Sequence, residues 1–379
     1  MSATDGSPSA VTAESLALFA GAAGFLVMGV VGLIAADGEP VPLSGRGSAG
    51  ATAAGGAAIL GAAAVVAGIV VRRRSTPPTR RVGGTARDVF DIAALAIAHA
   101  CVFLIGTLAL FSLLSRSFLG AVLFPFASAV IVGVVGAVSV YFAYLSAVNM
   151  NIYRLAALLA VFLSMGVLSS MLTAEDPLWW QENLSALGMG STLSGVAFNF
   201  TLIVGGLMVT IVASFATREL EIAAQSKSPK SRRRVRLLQS GLVLMGILLA
   251  CVGLFPVDEN LAVHNTVASG MVTVFAALII SMAYLVPAIS RAFVVLGFVF
   301  LGVIVGAAVA FAQGYYNLTA TELIAAFLIF SWLIILIRNL GAVDADHLDE
   351  ARVPHPRYRR TDTAGIPTIV PGKGAPVDR

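Results

Sequence analysis

Charge is what this sequence has least of. Only 12% of its 379 residues are Asp, Glu, Lys or Arg, against roughly 25% in a soluble globular domain. With 58% hydrophobic residues and a mean hydropathy of +0.92, the composition excludes an ordinary soluble domain and makes lipid the main solvent. Cysteine is nearly absent. Cys101 and Cys251 each lie inside an apolar run and no CxxC spacing occurs, so neither a disulfide framework nor a cysteine-based zinc site is expected. Histidine is scarce too: of four, only His99 and His264 lie in or beside the apolar runs, at different depths. That disfavours membrane hydrolases that hold zinc with three histidines. No Walker A pattern, HExxH, GxSxG or dinucleotide-binding glycine cluster is present, and no cofactor is expected.

What the chain does have is long apolar runs. About 20 apolar residues cross the hydrocarbon core of a bilayer as a helix. Ten runs qualify, near 15–36, 49–71, 89–114, 122–147, 155–174, 195–216, 237–256, 265–287, 292–313 and 320–341. The expected fold is all-α, a polytopic transmembrane bundle of about ten spans. The polar N-terminal segment, residues 1–14, carries no positive charge. A secretory signal needs a basic region before its apolar core, so the first run is expected to be a retained helix.

The few charges are sorted by side. With a cytoplasmic N-terminus, every Lys and Arg of the 24 except Arg46 and Arg116 falls in an inner segment: 72–88, 148–154, 217–236, 288–291, or the tail from Arg338. Short cytoplasmic loops retain basic residues because these resist translocation. Both termini are therefore expected inside, in the plasma membrane. The net charge of +4 reads as topology and as contact with anionic headgroups at the cytoplasmic face, not as nucleic-acid binding. Asp37, Glu39, Glu175, Asp176, Glu182, Asp258, Glu259 and Glu322 make the opposite face acidic. Arg far outnumbers Lys, a bias of GC-rich bacterial coding.

Four regions are expected: a polar segment 1–14, an accessory four-helix membrane region 15–147, a six-helix core 148–341, and a basic cytoplasmic tail 342–379. The tail buries too little apolar surface to offset its ordering entropy, so disorder is expected there. Ser226–Arg236 is a basic juxtamembrane stretch. Gly302 and Gly306 form a GxxxG pair, and Gly50, Ala54, Gly55 and Gly56 crowd the second span; small residues let helix backbones approach closely in lipid. Intramolecular packing is the expected use of these glycines. No internal repeat is visible, and oligomeric state cannot be read from the sequence.

Polar and aromatic residues concentrate between spans five and eight. Glu175-Asp176-Pro177-Leu178-Trp179-Trp180-Gln181-Glu182-Asn183 follows the fifth span, and Asn199 lies a turn inside the sixth. Asp258, Glu259, His264 and Asn265 join spans seven and eight. The tryptophans suit the headgroup zone, either as anchors or as a platform for a lipid chain or sugar. Asp258, Glu259 and His264 offer oxygen and nitrogen donors for a divalent cation, with Glu175, Asp176 or Glu182 as further ligands. They also read as solvated helix-end groups. His264 as a general base would need a nucleophile, for which Ser185 and Thr266 are at hand. Asn199 reads as interhelical glue or a ligand contact. His99, near the middle of the third run, is the intramembrane ionisable residue, open to a proton-relay role.

The run Asp176-Pro177, Trp179-Trp180, Asn183 and Ser185-Ala186-Leu187-Gly188 resembles a hallmark of the bacterial and archaeal membrane family catalogued as domain of unknown function 998. Phe198-Asn199 with Thr201-Leu202-Ile203 and Gly205, and Gly253-Leu254-Phe255-Pro256 followed by His264-Asn265, resemble its next two signatures. The match spans about residues 155–340, with a looser echo in the preceding helices. The resemblance implies an integral membrane protein of several helices, with no established activity, and leaves the first four spans as an accessory bundle.

The expected function is the handling of a lipid or envelope molecule at an outer-face pocket. Trp179 and Trp180 would form its wall, and Glu182, Asn183, Asn199, Asp258, Glu259, His264 and Asn265 its polar contacts. The alternatives are a secondary transporter using His99, Gln313 and Glu322, or a metal-assisted membrane enzyme at the same cluster.

Overall fold

A computed structural model describes residues 10–75, 85–225 and 228–352. Lipid offers the backbone no hydrogen-bond partners, so an apolar chain that crosses it must satisfy its own amides by forming helices. Ten helices follow: α1 (Ala10–Ala36), α2 (Ala49–Ser75), α3 (Thr85–Ser117), α4 (Pro125–Val148), α5 (Ile152–Thr173), α6 (Leu193–Gln225), α7 (Pro229–Leu254), α8 (Leu261–Leu285), α9 (Arg291–Ala312) and α10 (Leu318–Arg352). Each contains a stretch long and apolar enough to cross a membrane, and these are the ten among the described residues. The all-α polytopic bundle is thus as expected.

Helix starts obey local chemistry. The side chains of Asn151, Ser228, Asn260 and Ser290 each accept the backbone N–H three residues on, capping α5, α7, α8 and α9. Pro125 and Pro229 occupy first-turn positions, where a missing N–H costs nothing. Several boundaries differ from the sequence reading. Run 122–147 loses its start to a strand, β2 (Val122–Leu123), which pairs antiparallel with β1 (Val41–Pro42). The basic stretch from Pro229 to Arg236 is the first two turns of α7 rather than a loop, because its polar side chains sit on a helix that extends past the apolar stretch. Helix α10 runs on to Arg352; the rest of the expected tail, like residues 76–84 of the basic loop, lies outside the described residues.

Successive helices alternate in direction, which gathers the links 37–48, 118–124, 174–192, 255–260 and 313–317 at one end, here the loop end. The opposite, basic end carries Arg72, Arg154 and Arg232–Arg236. Helix α1 lies along α4, α2 lies between α3 and α4, and α3 joins this group to α5 and α6; α6 lies along α7, and α10 closes on α5 and α9. A single apolar core runs from Ala17 through Phe162 and Leu242 to Trp332, with a smaller one of Met28, Leu43, Ala53, Phe111 and Val132 near the strand pair.

The close helix approaches are not those expected from the GxxxG pair. A Cβ on Gly302 or Gly306 would meet nothing within 4 Å, so this face of α9 takes no part in intramolecular packing. The tight seams are elsewhere. A Cβ on Gly24 of α1 would lie 3.0 Å from the Gly136 carbonyl oxygen of α4, and one on Gly246 of α7 would lie 2.6 Å from the Gly206 carbonyl oxygen of α6. In lipid, such backbone contact gives dispersion the short distances it needs.

Candidate functional site

The α5–α6 link, residues 174–192, is the longest connection at the loop end. It contains two short 3-10 turns, Trp179–Gln181 and Leu184–Gly188. It opens with Asp176 accepting the Leu178 N–H at 2.8 Å, a local turn that aspartate favours. Leu184, Leu187 and Gly188 are buried. A loop that buries apolar side chains must also find partners for its own amides and carbonyls. Side chains from four other places in the bundle provide them.

Glu322 of α10 accepts the Leu184 N–H at 2.6 Å. Asn317, just before α10, donates to the Trp180 carbonyl at 2.7 Å. Asn199 of α6 donates to the Gly188 carbonyl at 2.7 Å. Ser194 of α6 donates its hydroxyl to the carbonyls of Ser170 and Leu187, at 2.9 and 3.1 Å. Asp258, between α7 and α8, accepts the Gly190 N–H at 2.9 Å. Gly190 takes a φ of 68°, a left-handed backbone where glycine carries no Cβ penalty.

His264 completes this set. It is 4% exposed. Its Nδ1 lies 2.8 Å from the Phe255 carbonyl oxygen and its Nε2 lies 3.0 Å from Ser185 Oγ. A carbonyl only accepts, so Nδ1 carries the proton and Nε2 presents a lone pair to the serine hydroxyl.

A cavity of about 250 Å³ opens between this loop and the end of α5. It is lined by Ala174, Glu175, Asp176, Trp179, Glu182, Ala186, Leu187, Met189, Thr192 and Ser194. Its wall combines an indole, small and apolar side chains, three carboxylates and two hydroxyls. Trp179 is half-buried against the core, whereas Trp180 is 49% exposed.

The structure divides the residues singled out in the sequence. Trp179 and Glu182 line the cavity with Glu175 and Asp176. Asn199, Asp258 and His264 do not; their side chains are committed to the protein's own backbone or to Ser185. Asn183 is half-buried with its Oδ1 unpartnered. Glu259 and Asn265 are exposed. The cap of α8 is Asn260, whose Oδ1 accepts the Val263 N–H at 3.1 Å, and neither His264 nor Asn265 plays that part. Among the described residues no group of three or more His, Cys, Asp or Glu side chains is placed to hold a metal ion. With both ring nitrogens engaged, His264 does not converge with Asp258 and Glu259 on a cation.

His99 lies near the middle of α3, as expected. It is 3% exposed, with Nδ1 2.8 Å from the Leu95 carbonyl oxygen and Nε2 2.9 Å from Ser146 Oγ of α4. Gln313 and Glu322 belong to the loop end, so the three residues considered for a transport path do not share a depth.

Sequence reasoning missed Glu322, Asn317 and Ser194 as parts of this site. Each is an isolated polar residue near the start of a helix, and nothing local marks its distant partner. No family model matches the chain, and neither a curated protein nor a solved structure matches it.

Proposed function

We propose that this integral multi-pass protein resides in the plasma membrane and holds the polar end of an amphiphile in the loop-end cavity, on the outer face. The observation that carries this reading is the make-up of the cavity wall: Trp179 and Leu187 offer an apolar side, and Glu175, Asp176 and Glu182 a negative rim. At about 250 Å³ it suits a headgroup rather than a whole lipid. Indole and carboxylate together favour a positively charged group such as an ammonium, through cation–π attraction and charge pairing. The side chains of Asn199, Asp258, Asn317 and Glu322 shape the cavity by fixing the loop and leave headgroup contact to Trp179, Glu175, Asp176, Glu182 and Thr192.

The orientation rests on the distribution of Lys and Arg. Exposed Arg232, Arg233 and Arg236 on α7 meet anionic headgroups of the inner leaflet, each contributing about 1 kcal/mol near such a surface. The ordered resemblance to the domain of unknown function 998 family supports a membrane-embedded role and names no chemistry.

The test is lipid retention. Protein in nanodiscs of mixed phosphatidylethanolamine and phosphatidylglycerol is released into native mass spectrometry and its bound lipids counted. Preferential retention of the ethanolamine lipid, reduced several-fold by Trp179→Ala and by Glu182→Gln, is the expected result. Retention indifferent to headgroup and to both substitutions would overturn the reading.

A further inference from the structure

We infer that Ser185 and His264 form a nucleophile–base pair, and that the loop-end site carries out acyl transfer from an ester-bearing amphiphile to water. Three observations support this. The hydrogen bond joins Ser185 Oγ to His264 Nε2 at 3.0 Å, within the reach proton abstraction needs. The Phe255 carbonyl, 2.8 Å from Nδ1, fixes the tautomer in which Nε2 is the free base; it plays the orienting part that a carboxylate takes in serine hydrolases. Ser185 itself is half-buried rather than sealed, and the next two residues, Ala186 and Leu187, form part of the cavity wall.

The same pair of contacts occurs at His99 and Ser146, and the comparison is instructive. Ser146 lies in the last turn of α4, at the basic end and away from the loop-end cavity. Ser185 lies in a 3-10 turn at the water-facing end, next to Leu184, whose amide Glu322 holds. Glu322 is a positioning residue here: it fixes the backbone that aims Oγ. Thr319, one turn before Glu322 on α10, is 3% exposed and its hydroxyl has no partner.

The step balances without a further reagent. The Ser185 hydroxyl gives its proton to His264 Nε2 as Oγ bonds to the ester carbonyl carbon and the carbonyl electron pair moves to oxygen. Collapse breaks the bond to the alcohol oxygen, which takes the proton back from Nε2 and leaves as the alcohol. Water then repeats the sequence on the acyl-serine, releasing a carboxylic acid and restoring the pair. In a glycerolipid the ester carbonyls lie a few atoms below the headgroup, so a headgroup in the cavity brings an ester to the depth of this turn. That choice of substrate rests on the reading proposed above; the nucleophile assignment does not.

The experiment uses the full chain in nanodiscs and an alkyl fluorophosphonate probe, with the labelled residue identified by peptide mass. One label is expected, on Ser185 and not on Ser146. It should be abolished in Ser185→Ala and slowed about 100-fold or more in His264→Gln. Folded, monodisperse protein that takes no label, or a label that persists in Ser185→Ala, would overturn the assignment. Ser185→Cys serves where His264→Gln does not fold. Its thiol, next to the imidazole, is expected to react with iodoacetamide at pH 6.5 faster than free cysteine does, and an equal or slower rate would count against the pair. Headgroup-selective lipid retention without labelling would leave the binding reading standing and remove this one; labelling without retention would do the reverse.

Discussion

Glu322 accepts the backbone N–H of Leu184, 138 residues earlier in the chain, at 2.6 Å. The contact ties the last membrane helix to the loop between the fifth and the sixth. A carboxylate receiving a backbone amide contributes about 1.5–3 kcal/mol, and removing it leaves the Leu184 donor unpaired. Glu322→Ala is therefore expected to lower unfolding stability by about 2 kcal/mol. Glu322→Gln keeps an acceptor and should lose less. Chemical denaturation in mixed micelles, followed by tryptophan emission, measures both.

The Asp258–Gly190 bond is solvent-exposed at its acidic end and worth about 1 kcal/mol. Asp258→Ala should speed amide exchange across residues 188–192 several-fold and leave the α1–α4 region unchanged. Hydrogen exchange read by mass spectrometry resolves the two. A uniform change over the whole chain would show that the bond acts on global stability.

Glycine substitutions separate the packed seam from the open face. Gly246→Ala places a Cβ against the Gly206 carbonyl and should cost about 1–3 kcal/mol, the usual range for overpacking. Gly302→Ala meets open space and should fall within about 0.5 kcal/mol of the parent, or gain slightly because alanine favours the helix. The same denaturation series checks both.

His99 should prove structural. His99→Ala removes a buried ring and its bond to Ser146, with an expected loss of about 2–4 kcal/mol. Headgroup selectivity in the retention assay should persist in whatever fraction stays folded.

The spans were legible because run length alone decides whether a helix crosses lipid; each of the ten runs coincides with one observed helix and overruns it by no more than a few residues. The loop 174–192 was legible as a place, since Trp179, Glu182 and Asn199 are conspicuous in an apolar chain. Their division of labour was not. Asn199 and Asp258 look like ligand groups in sequence, but a loop that buries Leu184 and Leu187 needs their side chains for its own backbone. Glu322 and Asn317 were missed because a hydrogen bond across more than 130 residues leaves no local pattern. Gly302 and Gly306 misled for a related reason: a GxxxG spacing marks a helix face without saying whether another helix covers it. The two-residue strands β1 and β2 are too short to leave a period-two signature.

The proposed orientation turns the Trp179 loop and its cavity outward, on the acidic side of the bundle, and keeps the arginines of the basic end within. The direct measurement places single cysteines at Ser228 and Asn260, in a background with Cys101 and Cys251 replaced, and treats intact cells with a maleimide that cannot cross the membrane. Labelling is expected at position 260, and none at 228 until the cells are opened. Labelling at 228 with protection at 260 would contradict it, and would turn the cavity toward the cytoplasm.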